Sequence, residues 1–197
     1  EFCKKEFKTP DRHYCKKNPY RRYSWGVDLV TKQIAYNIDC MEYMKTLPDK
    51  AFELAICDPP YGIDFAKTHT GKGWVVRKSK DWDSGIPGED YFKELFRVSK
   101  AQIIWGGNYF TKYLEPSMGW IFWDKGQRDF SLADGELAWT SFDRALRVFD
   151  FSRAKLNQKR AGFHPTEKPI ELYQWLLTHY AKPGDKILDT HLGSGSS

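Results

Sequence analysis

The 197-residue sequence lacks long apolar runs and contains few cysteines. No apolar stretch approaches the roughly 20 residues that a transmembrane helix needs, and no charged, apolar and small-residue leader opens the chain. The cysteines, at positions 3, 15, 40 and 57, do not form the dense pattern of a secreted disulfide scaffold. We therefore predict a soluble, cytoplasmic protein that uses no membrane partner and keeps its thiols reduced.

The chain also lacks an excess of acidic residues, and its positive charge is confined to one end. Residues 1–25 hold eight basic and three acidic side chains, whereas the remaining residues hold 23 of each. A basic segment of this kind is typical of a surface that contacts a polyanion. A solvated basic tail would give the same pattern.

Within the basic segment 1–25, Cys3 and Cys15 resemble half of a small zinc knuckle. Two ligands do not make a tetrahedral zinc site. A cysteine upstream of the chain would supply a third ligand, but Asn18 stands where a fourth would be expected. The sequence therefore predicts at most a partial zinc site in this segment.

From residue 34 onward, strand-like and helix-like segments alternate. The apolar run at residues 51–58 is typical of a buried parallel strand. Residues 62–88 read as a long loop, of a length that is usually functional or disordered. Two segments have helical patterns, 88–100 and 168–181, and three β-rich segments predict an antiparallel edge, 120–125, 135–142 and 145–153. The pattern predicts one α/β domain over residues 34–197 with a mostly parallel sheet.

The first candidate site follows the apolar strand, where Asp58, Pro59, Pro60 and Tyr61 stand in succession. Side chains at the exit of a parallel strand project into the crevice where α/β proteins bind ligands. A rigid turn between a carboxylate and an aromatic ring suits such a crevice. An Asp-Pro turn that only ends the strand is the alternative.

Two further motifs occur later in the chain. The segment "GFHPTEKP" places Thr166 and Lys168 between two prolines before a helix, with His164 directly before the first proline. It could hold a ligand carboxylate or hydroxyl, or it could be a helix leader with Thr166 as N-cap and Pro169 in the first turn. The segment "DTHLGSGSS" leads from a strand into a glycine turn, which permits close backbone approach to a ligand. It is not a P-loop, because no Gly-Lys-Ser/Thr follows.

Taken together and in this order, the motifs "DPPY", "HPTEKP" and "DTHLGSGSS" resemble those of the amino-methylating DNA methyltransferases of the permuted β group, the DNA methylase N-4/N-6 family. The segments "RVSKAQIIWGGNYF" and "DKGQRDFSLADGELAWTSF" resemble phage and mobile-element members. The resemblance covers residues 34–197. It implies a Rossmann-like methyltransferase sheet in which the catalytic motif precedes the glycine loop, a circularly permuted order, in a bacterial or phage-infected cell.

The resemblance implies methyl transfer from S-adenosyl-L-methionine to N6 of adenine in double-stranded DNA. Asp58 and the Pro59 carbonyl would accept hydrogen bonds from the exocyclic amino group, Pro60 would hold the turn, and Tyr61 would stack on the flipped base. The cofactor-binding residues implied by the family are Asp39, Asp58, His164, Thr166, Lys168, Asp189, Gly193 and Gly195.

The chain stops at Ser197, before the helix and acidic strand end that usually follow the glycine loop in such enzymes. We therefore expect a catalytic domain truncated at its C-terminus that binds the cofactor weakly on its own. No large recognition insert is present, so sequence preference would depend on residues 62–88, 126–162 and the basic N-terminus. The oligomeric state stays open, with a dimer as one option.

Several alternatives remain on the sequence alone. Carbon-5 cytosine methylation would need a Pro-Cys pair, and none occurs. N4-cytosine methylation stays open, although Asp58 favours adenine where serine would favour cytosine. Methylation of an RNA or protein amide nitrogen would favour Asn at position 58. A non-catalytic DNA-binding remnant is the non-enzymatic alternative.

Overall fold

The computed structural model describes residues 4–5, 33–63, 85–129, 133–159 and 167–193. The chain forms two compact units, residues 1–43 and 44–197. In the first unit, β1 (Lys4–Lys5) pairs antiparallel with β2 (Ala35–Tyr36), and helix α1 (Cys40–Lys45) begins. The Asp39 carboxylate caps this helix, because its Oδ1 accepts hydrogen bonds from two backbone N–H groups of the first turn, at 2.8 and 3.2 Å.

The second unit contains a six-stranded mixed sheet with strand order β7-β5-β6-β4-β3-β8. Its pairs β3–β4, β3–β8 and β5–β7 are parallel, while β6 runs antiparallel to both β4 and β5. The α/β prediction is confirmed, and the predicted antiparallel portion is the half of the sheet around β6. The strands are β3 (Phe52–Cys57), β4 (Ser99–Trp105), β5 (Trp120–Asp124), β6 (Gly135–Thr140), β7 (Arg147–Asp150) and β8 (Ile187–Leu188).

One face of this sheet carries the main apolar core. Successive side chains of a strand point to opposite faces, so Leu54 and Ile56 of β3 share a face. They pack with Leu172 and Leu176 of helix α4 (Ile170–Tyr180), all four being less than 5% exposed. The continuous apolar character of β3 follows from burial on both faces.

Helix α2 (Glu89–Val98) buries an apolar stripe formed by Tyr91, Phe92, Leu95 and Val98. Its Phe96 ring lies 5.9 Å from the ring of Trp139 on β6, in an edge-on arrangement. The helix ends where Ser99 takes extended dihedral angles and its Oγ donates a 2.5 Å bond to the Leu95 carbonyl. The predicted amphipathic helix is therefore present, and it leads directly into β4.

Two details differ from the sequence-based expectations. Strand β7 ends at Asp150, three residues before the end of the expected β-rich segment 145–153, and residues Arg153–Lys159 form a helix, α3, that was not predicted. Helix α4 has Pro169 as its N-cap residue, with extended dihedral angles and no side-chain cap. The alternative in which Thr166 caps this helix is therefore wrong, because the helix begins at Ile170.

The direction of the strands determines which residues meet at one edge of the sheet. β3, β4, β5, β7 and β8 point the same way, so their carboxyl ends share that edge. Because β6 runs in the opposite direction, its first residues also lie there. Among the residues that the structure describes, no helix is long and apolar enough to cross a bilayer.

Candidate active site

Asp58 follows the last residue of β3 and lies at the carboxyl edge of the sheet. Pro59 and Pro60 fix the backbone after it, because the proline ring restricts φ to about −65°. The chain then returns so that the Tyr61 hydroxyl donates a 2.6 Å hydrogen bond to Asp58 Oδ1. The four-residue turn thus places a carboxylate and a phenol in direct contact.

The second oxygen of Asp58 is paired with Lys168, which lies just before α4 and 110 residues away in sequence. The ammonium of Lys168 donates to Asp58 Oδ2 and lies 3.4 Å from the Tyr61 hydroxyl oxygen. Its side chain is only 3% exposed. The predicted motifs around Asp58 and Lys168 therefore meet in the folded chain.

A second carboxylate and a second ammonium extend this pair. Glu136, at the start of β6, places Oε2 3.2 Å from Lys168 Nζ. Its other oxygen, Oε1, accepts a 2.6 Å hydrogen bond from Nζ of Lys125, which follows β5. We refer to Asp58, Lys168, Glu136 and Lys125 as the charge array.

Burial and charge oppose each other in this array. Burial alone would favour a neutral Lys168, but the carboxylates of Asp58 and Glu136 outweigh it and hold the pKa of Lys168 well above its ordinary value. Burial likewise disfavours the Glu136 anion, yet the Lys168 and Lys125 ammonium groups lower the pKa of Glu136. Both groups are therefore charged near neutral pH, and the array contains two negative and two positive charges.

Aromatic rings surround the Tyr61 end of the array. Burial raises the pKa of Tyr61 well above its usual value, so its hydroxyl stays protonated and acts as a donor to Asp58. Tyr109 stacks on the Tyr61 ring with centroids 5.1 Å apart and an interplanar angle of 14°. The side chain of Tyr109 is 43% exposed, so the aromatic pair reaches the surface.

Gly106, at the end of β4, makes room for Tyr61. Its φ is +70°, a left-handed conformation that glycine adopts without strain. A Cβ built on Gly106 would lie 2.2 Å from Tyr61 Cε1 and 2.5 Å from Cδ1. Glycine at this position is therefore required both by the backbone and by the ring.

The end of β8 lies beside the end of β3, because the two strands are parallel neighbours. Asp189 Oδ1 accepts a 2.9 Å hydrogen bond from the backbone N–H of His191, and Gly193 in the following turn has φ of +55°. Thr190 Oγ1 lies 2.7 Å from the Tyr91 hydroxyl oxygen. Burial raises the pKa of the neighbouring Cys57 thiol to about 12, so this cysteine is a core residue and not a nucleophile.

Of the residues predicted from sequence, the structure brings together Asp58, Pro59, Tyr61 and Lys168, and it places Asp189 on the adjacent strand end. Asp39 belongs to the first compact unit, where it caps α1. The remaining residues predicted to bind cofactor or zinc lie outside the described residues: Cys3, Cys15, His164, Thr166 and Gly195.

Sequence reasoning missed Glu136, Lys125, Gly106 and Tyr109. Their common signal is position, since each lies at or just beyond a strand end on the same edge of the sheet. Their shared position at one edge can be recognised only from the order of strands in the sheet, which the sequence alone does not give.

A family model described as DNA methylase matches residues 111–197. The type II methyltransferase M2.DpnII of Streptococcus pneumoniae is 23% identical over 212 residues, covering 84% of this chain and 79% of that protein. The type II methyltransferase M.HpaI of Haemophilus parainfluenzae is 25% identical over 206 residues, covering 80% of this chain and 63% of that protein.

Two solved structures are also similar. A putative DNA modification methylase from Thermus thermophilus, in complex with S-adenosyl-L-methionine, aligns with a TM-score of 0.43 and 16% identity over 80% of each chain. The cytosine-N4-specific PvuII DNA methyltransferase aligns with a TM-score of 0.47 and 13% identity, covering 78% of this chain and 72% of that chain. The family match and the type II relatives agree with the motifs that meet at the sheet edge. The C-terminal part of the chain, residues 111–197, thus matches the DNA methylase family model, and about four-fifths of the chain is similar to type II methyltransferases.

Proposed function

We propose that the protein transfers a methyl group from S-adenosyl-L-methionine to N6 of adenine in double-stranded DNA, after the base has been flipped out of the duplex. The observation that carries this proposal is the carboxylate of Asp58, held at the exit of β3 by Tyr61 and Lys168. Asp at this position is the residue that the family resemblance associates with adenine.

Asp58 has the capacity to accept a hydrogen bond from the target amino group. An ionised carboxylate offers about four lone-pair sites, and the described contacts use one on each oxygen, for Tyr61 and Lys168. The side chain is 28% exposed, so the remaining sites are accessible. Together with the Pro59 carbonyl, Asp58 would bind the amino hydrogens and direct the nitrogen lone pair out of conjugation with the ring.

Asp58 also provides a route for the proton. The amino nitrogen loses one proton when it forms a bond to the methyl carbon, and a carboxylate that already binds that hydrogen can receive it before water does. Lys168 and Tyr61 remain charged and neutral, respectively, near neutral pH. They therefore hold the carboxylate without competing for the proton.

The stacked pair of Tyr61 and Tyr109 supports the base-flipping step. Extrusion of a base costs a few kcal/mol, and stacking on an aromatic side chain offsets part of that cost. Tyr61 is fixed by its hydrogen bond to Asp58, whereas Tyr109 is exposed at its outer side. We infer that the pair receives the base, with Tyr61 next to the reacting amino group.

The residues at the end of β8 fit the methyl donor, which when bound supplies a methyl group activated by a positively charged sulfur. Asp58 and Asp189 follow neighbouring parallel strands. The carboxylates at these two strand ends would stabilise the positively charged sulfur of the donor. Gly193 has a left-handed backbone, and among the described residues a Cβ built there would contact the His191 carbonyl oxygen at 3.7 Å. By resemblance alone, Asp39, His164, Thr166, Lys168 and Gly195 are also proposed to bind the donor.

The test is methyl transfer from isotope-labelled S-adenosyl-L-methionine to unmethylated duplex DNA, followed by digestion and mass spectrometry of the nucleosides. We expect N6-methyladenine from the unaltered protein. N4-methylcytosine as the product would replace the adenine assignment, and absence of both products would refute the proposal.

The Asp58→Asn variant tests the catalytic assignment. We expect kcat to fall by about 100-fold or more, because removal of one preorganised transition-state contact typically costs about 10²–10³. The matched control is Asp143→Asn, which makes the same chemical change at an exposed position beyond the other end of β6. Equal activity of the Asp58→Asn variant and the control, with both folded, would refute the catalytic role of Asp58.

A further inference from the structure

The charge array contains more charged groups than the pairing of Asp58 requires. Asp58 and Lys168 alone form a neutral pair. Glu136 adds a second carboxylate within 3.2 Å of the Lys168 ammonium, and Lys125 then neutralises Glu136 at 2.6 Å. Burying charged groups is costly unless each is paired, so the second pair needs an explanation.

The four groups come from four separate places in the fold. Asp58 follows β3, Lys168 precedes α4, Glu136 is the second residue of β6 and Lys125 follows β5. Lys168 and Lys125 are 3% and 10% exposed, and the Glu136 side chain is 22% exposed. The largely buried Lys168 ammonium is therefore shared between two carboxylates. One is Asp58, which is proposed to contact the target base, and the other is Glu136, which has no proposed contact with it.

Sharing the ammonium changes what Asp58 can do. An Asp58 paired with Lys168 alone would have most of its charge neutralised at short range, which weakens it as an acceptor for other hydrogen bonds. Glu136 competes for the same ammonium and reduces that effect. Lys125 limits this competition, because its own ion pair with Glu136 weakens the attraction between Glu136 and Lys168.

We propose that Glu136 is a positioning residue for methyl transfer, which acts on Asp58 through the shared Lys168 ammonium and is balanced by Lys125. The proposal deepens the function proposed above and depends on it. It predicts that Glu136 and Lys125 have opposite effects on the ion pair between Asp58 and Lys168. Removal of Glu136 strengthens this ion pair, and removal of Lys125 weakens it.

The other titratable groups that face the array do not account for such an effect. Among the residues that the structure describes, they include Tyr61 from the turn after β3, Tyr173 from α4 and, through its influence on Tyr173, Asp189 after β8. Burial raises the pKa of both tyrosines, so they stay neutral in the range where a carboxylate titrates. An acidic limb in the pH dependence of kcat that moves when Glu136 or Lys125 is replaced would therefore report on the charges around Lys168 and not on these tyrosines.

The experiment measures kcat and KM for duplex DNA from acidic to neutral pH in three variants: Glu136→Gln, Glu136→Asp and Lys125→Met. For Glu136→Gln we expect kcat to fall by roughly 10- to 100-fold, as small misplacements of catalytic groups do, with KM for DNA nearly unchanged. The acidic limb should move to lower pH in Glu136→Gln and to higher pH in Lys125→Met. Glu136→Asp keeps the charge and should restore part of kcat.

The matched control is Glu89→Gln, which removes a carboxylate from the exposed ion pair with Lys93 on α2 and should leave the limb in place. Thermal unfolding of each variant checks that it is folded. If Glu136→Gln does not fold, the test is the acidic limb of kcat in Lys125→Met. A move to higher pH supports the proposal, and a move to lower pH or no move contradicts it. A normal kcat in folded Glu136→Gln, or shifts of the same sign in both charge variants, would overturn the proposal.

The outcome can be separated from failure of the proposed function. If the unaltered protein transfers no methyl group to DNA, the proposed function is wrong. If the unaltered protein is active and Asp58→Asn is inactive while Glu136→Gln behaves like the control, only the positioning role of Glu136 is wrong.

Discussion

Replacement of Gly106 by alanine provides a direct test of the site geometry. The residue has φ of +70°, and a non-glycine residue in this left-handed region costs about 1–2 kcal/mol. The new methyl group would also lie 2.2–2.8 Å from three carbon atoms of the Tyr61 ring. That ring has little freedom to rotate away, because its hydroxyl is bonded to Asp58 and Tyr109 is stacked on it.

The steric part of the effect can be estimated from overpacked cores, where inserted carbon atoms cost about 1–3 kcal/mol. The Gly106→Ala variant should therefore lose about 2–5 kcal/mol of unfolding free energy. Its kcat for methyl transfer should fall further than its stability explains, because Tyr61 moves and carries the Asp58 carboxylate with it.

The assay is urea unfolding followed by tryptophan fluorescence, together with methyl transfer under conditions where the variant is folded. Gly184→Ala is the matched control, since Gly184 has φ of +91° but a Cβ built there would have no atom of the described residues within 4 Å. It should show only the backbone cost of about 1–2 kcal/mol and normal activity. If the two variants behave alike, the reasoning about Tyr61 is wrong.

Two further predictions concern buried groups. The Trp105 indole N–H is buried without a hydrogen-bond partner among the described residues, whereas Trp123 Nε1 donates a 2.9 Å hydrogen bond to the Phe151 carbonyl. Because Trp105→Phe removes no hydrogen bond and Trp123→Phe removes one, denaturant unfolding should show a smaller loss of unfolding free energy for Trp105→Phe. Cys57 should resist alkylation by iodoacetamide at about pH 8 in the folded protein and react in urea, as measured by mass spectrometry. Since folding raises the pKa of its thiol from 9.0 to about 12, its contribution to stability is present below pH 9 and is lost as the pH rises through that interval.

The sequence motifs predicted part of the local structure around this candidate site. An apolar run that ends on Asp58 predicts a strand exit, and the structure places the carboxylate at the carboxyl edge of the sheet. Lys168 was singled out from its proline-bracketed segment as a cofactor ligand. The structure adds its contact with Asp58, which is not readable from two positions 110 residues apart.

The second half of the charge array shows why sequence reasoning stopped short. Glu136 and Lys125 lie in a β-rich region whose pattern predicts strands but not their order in the sheet. Their contact with Lys168 depends on β6 lying between β5 and β4 and running in the opposite direction. Helix α3 was missed because it begins at the last residue of the β-rich segment 145–153, and no glycine or proline separates it from β7.

The pairing of β5 with β6 has a consequence for how such a protein can diversify. Five residue pairs, from Trp120 with Trp139 to Asp124 with Gly135, fix the hairpin independently of the segment that joins its two strands. That connecting segment opens at the same edge as Asp58. If the protein acts as proposed, insertions in its middle lengthen the surface at this edge while Glu136 keeps its place, so that target preference and chemistry can change separately.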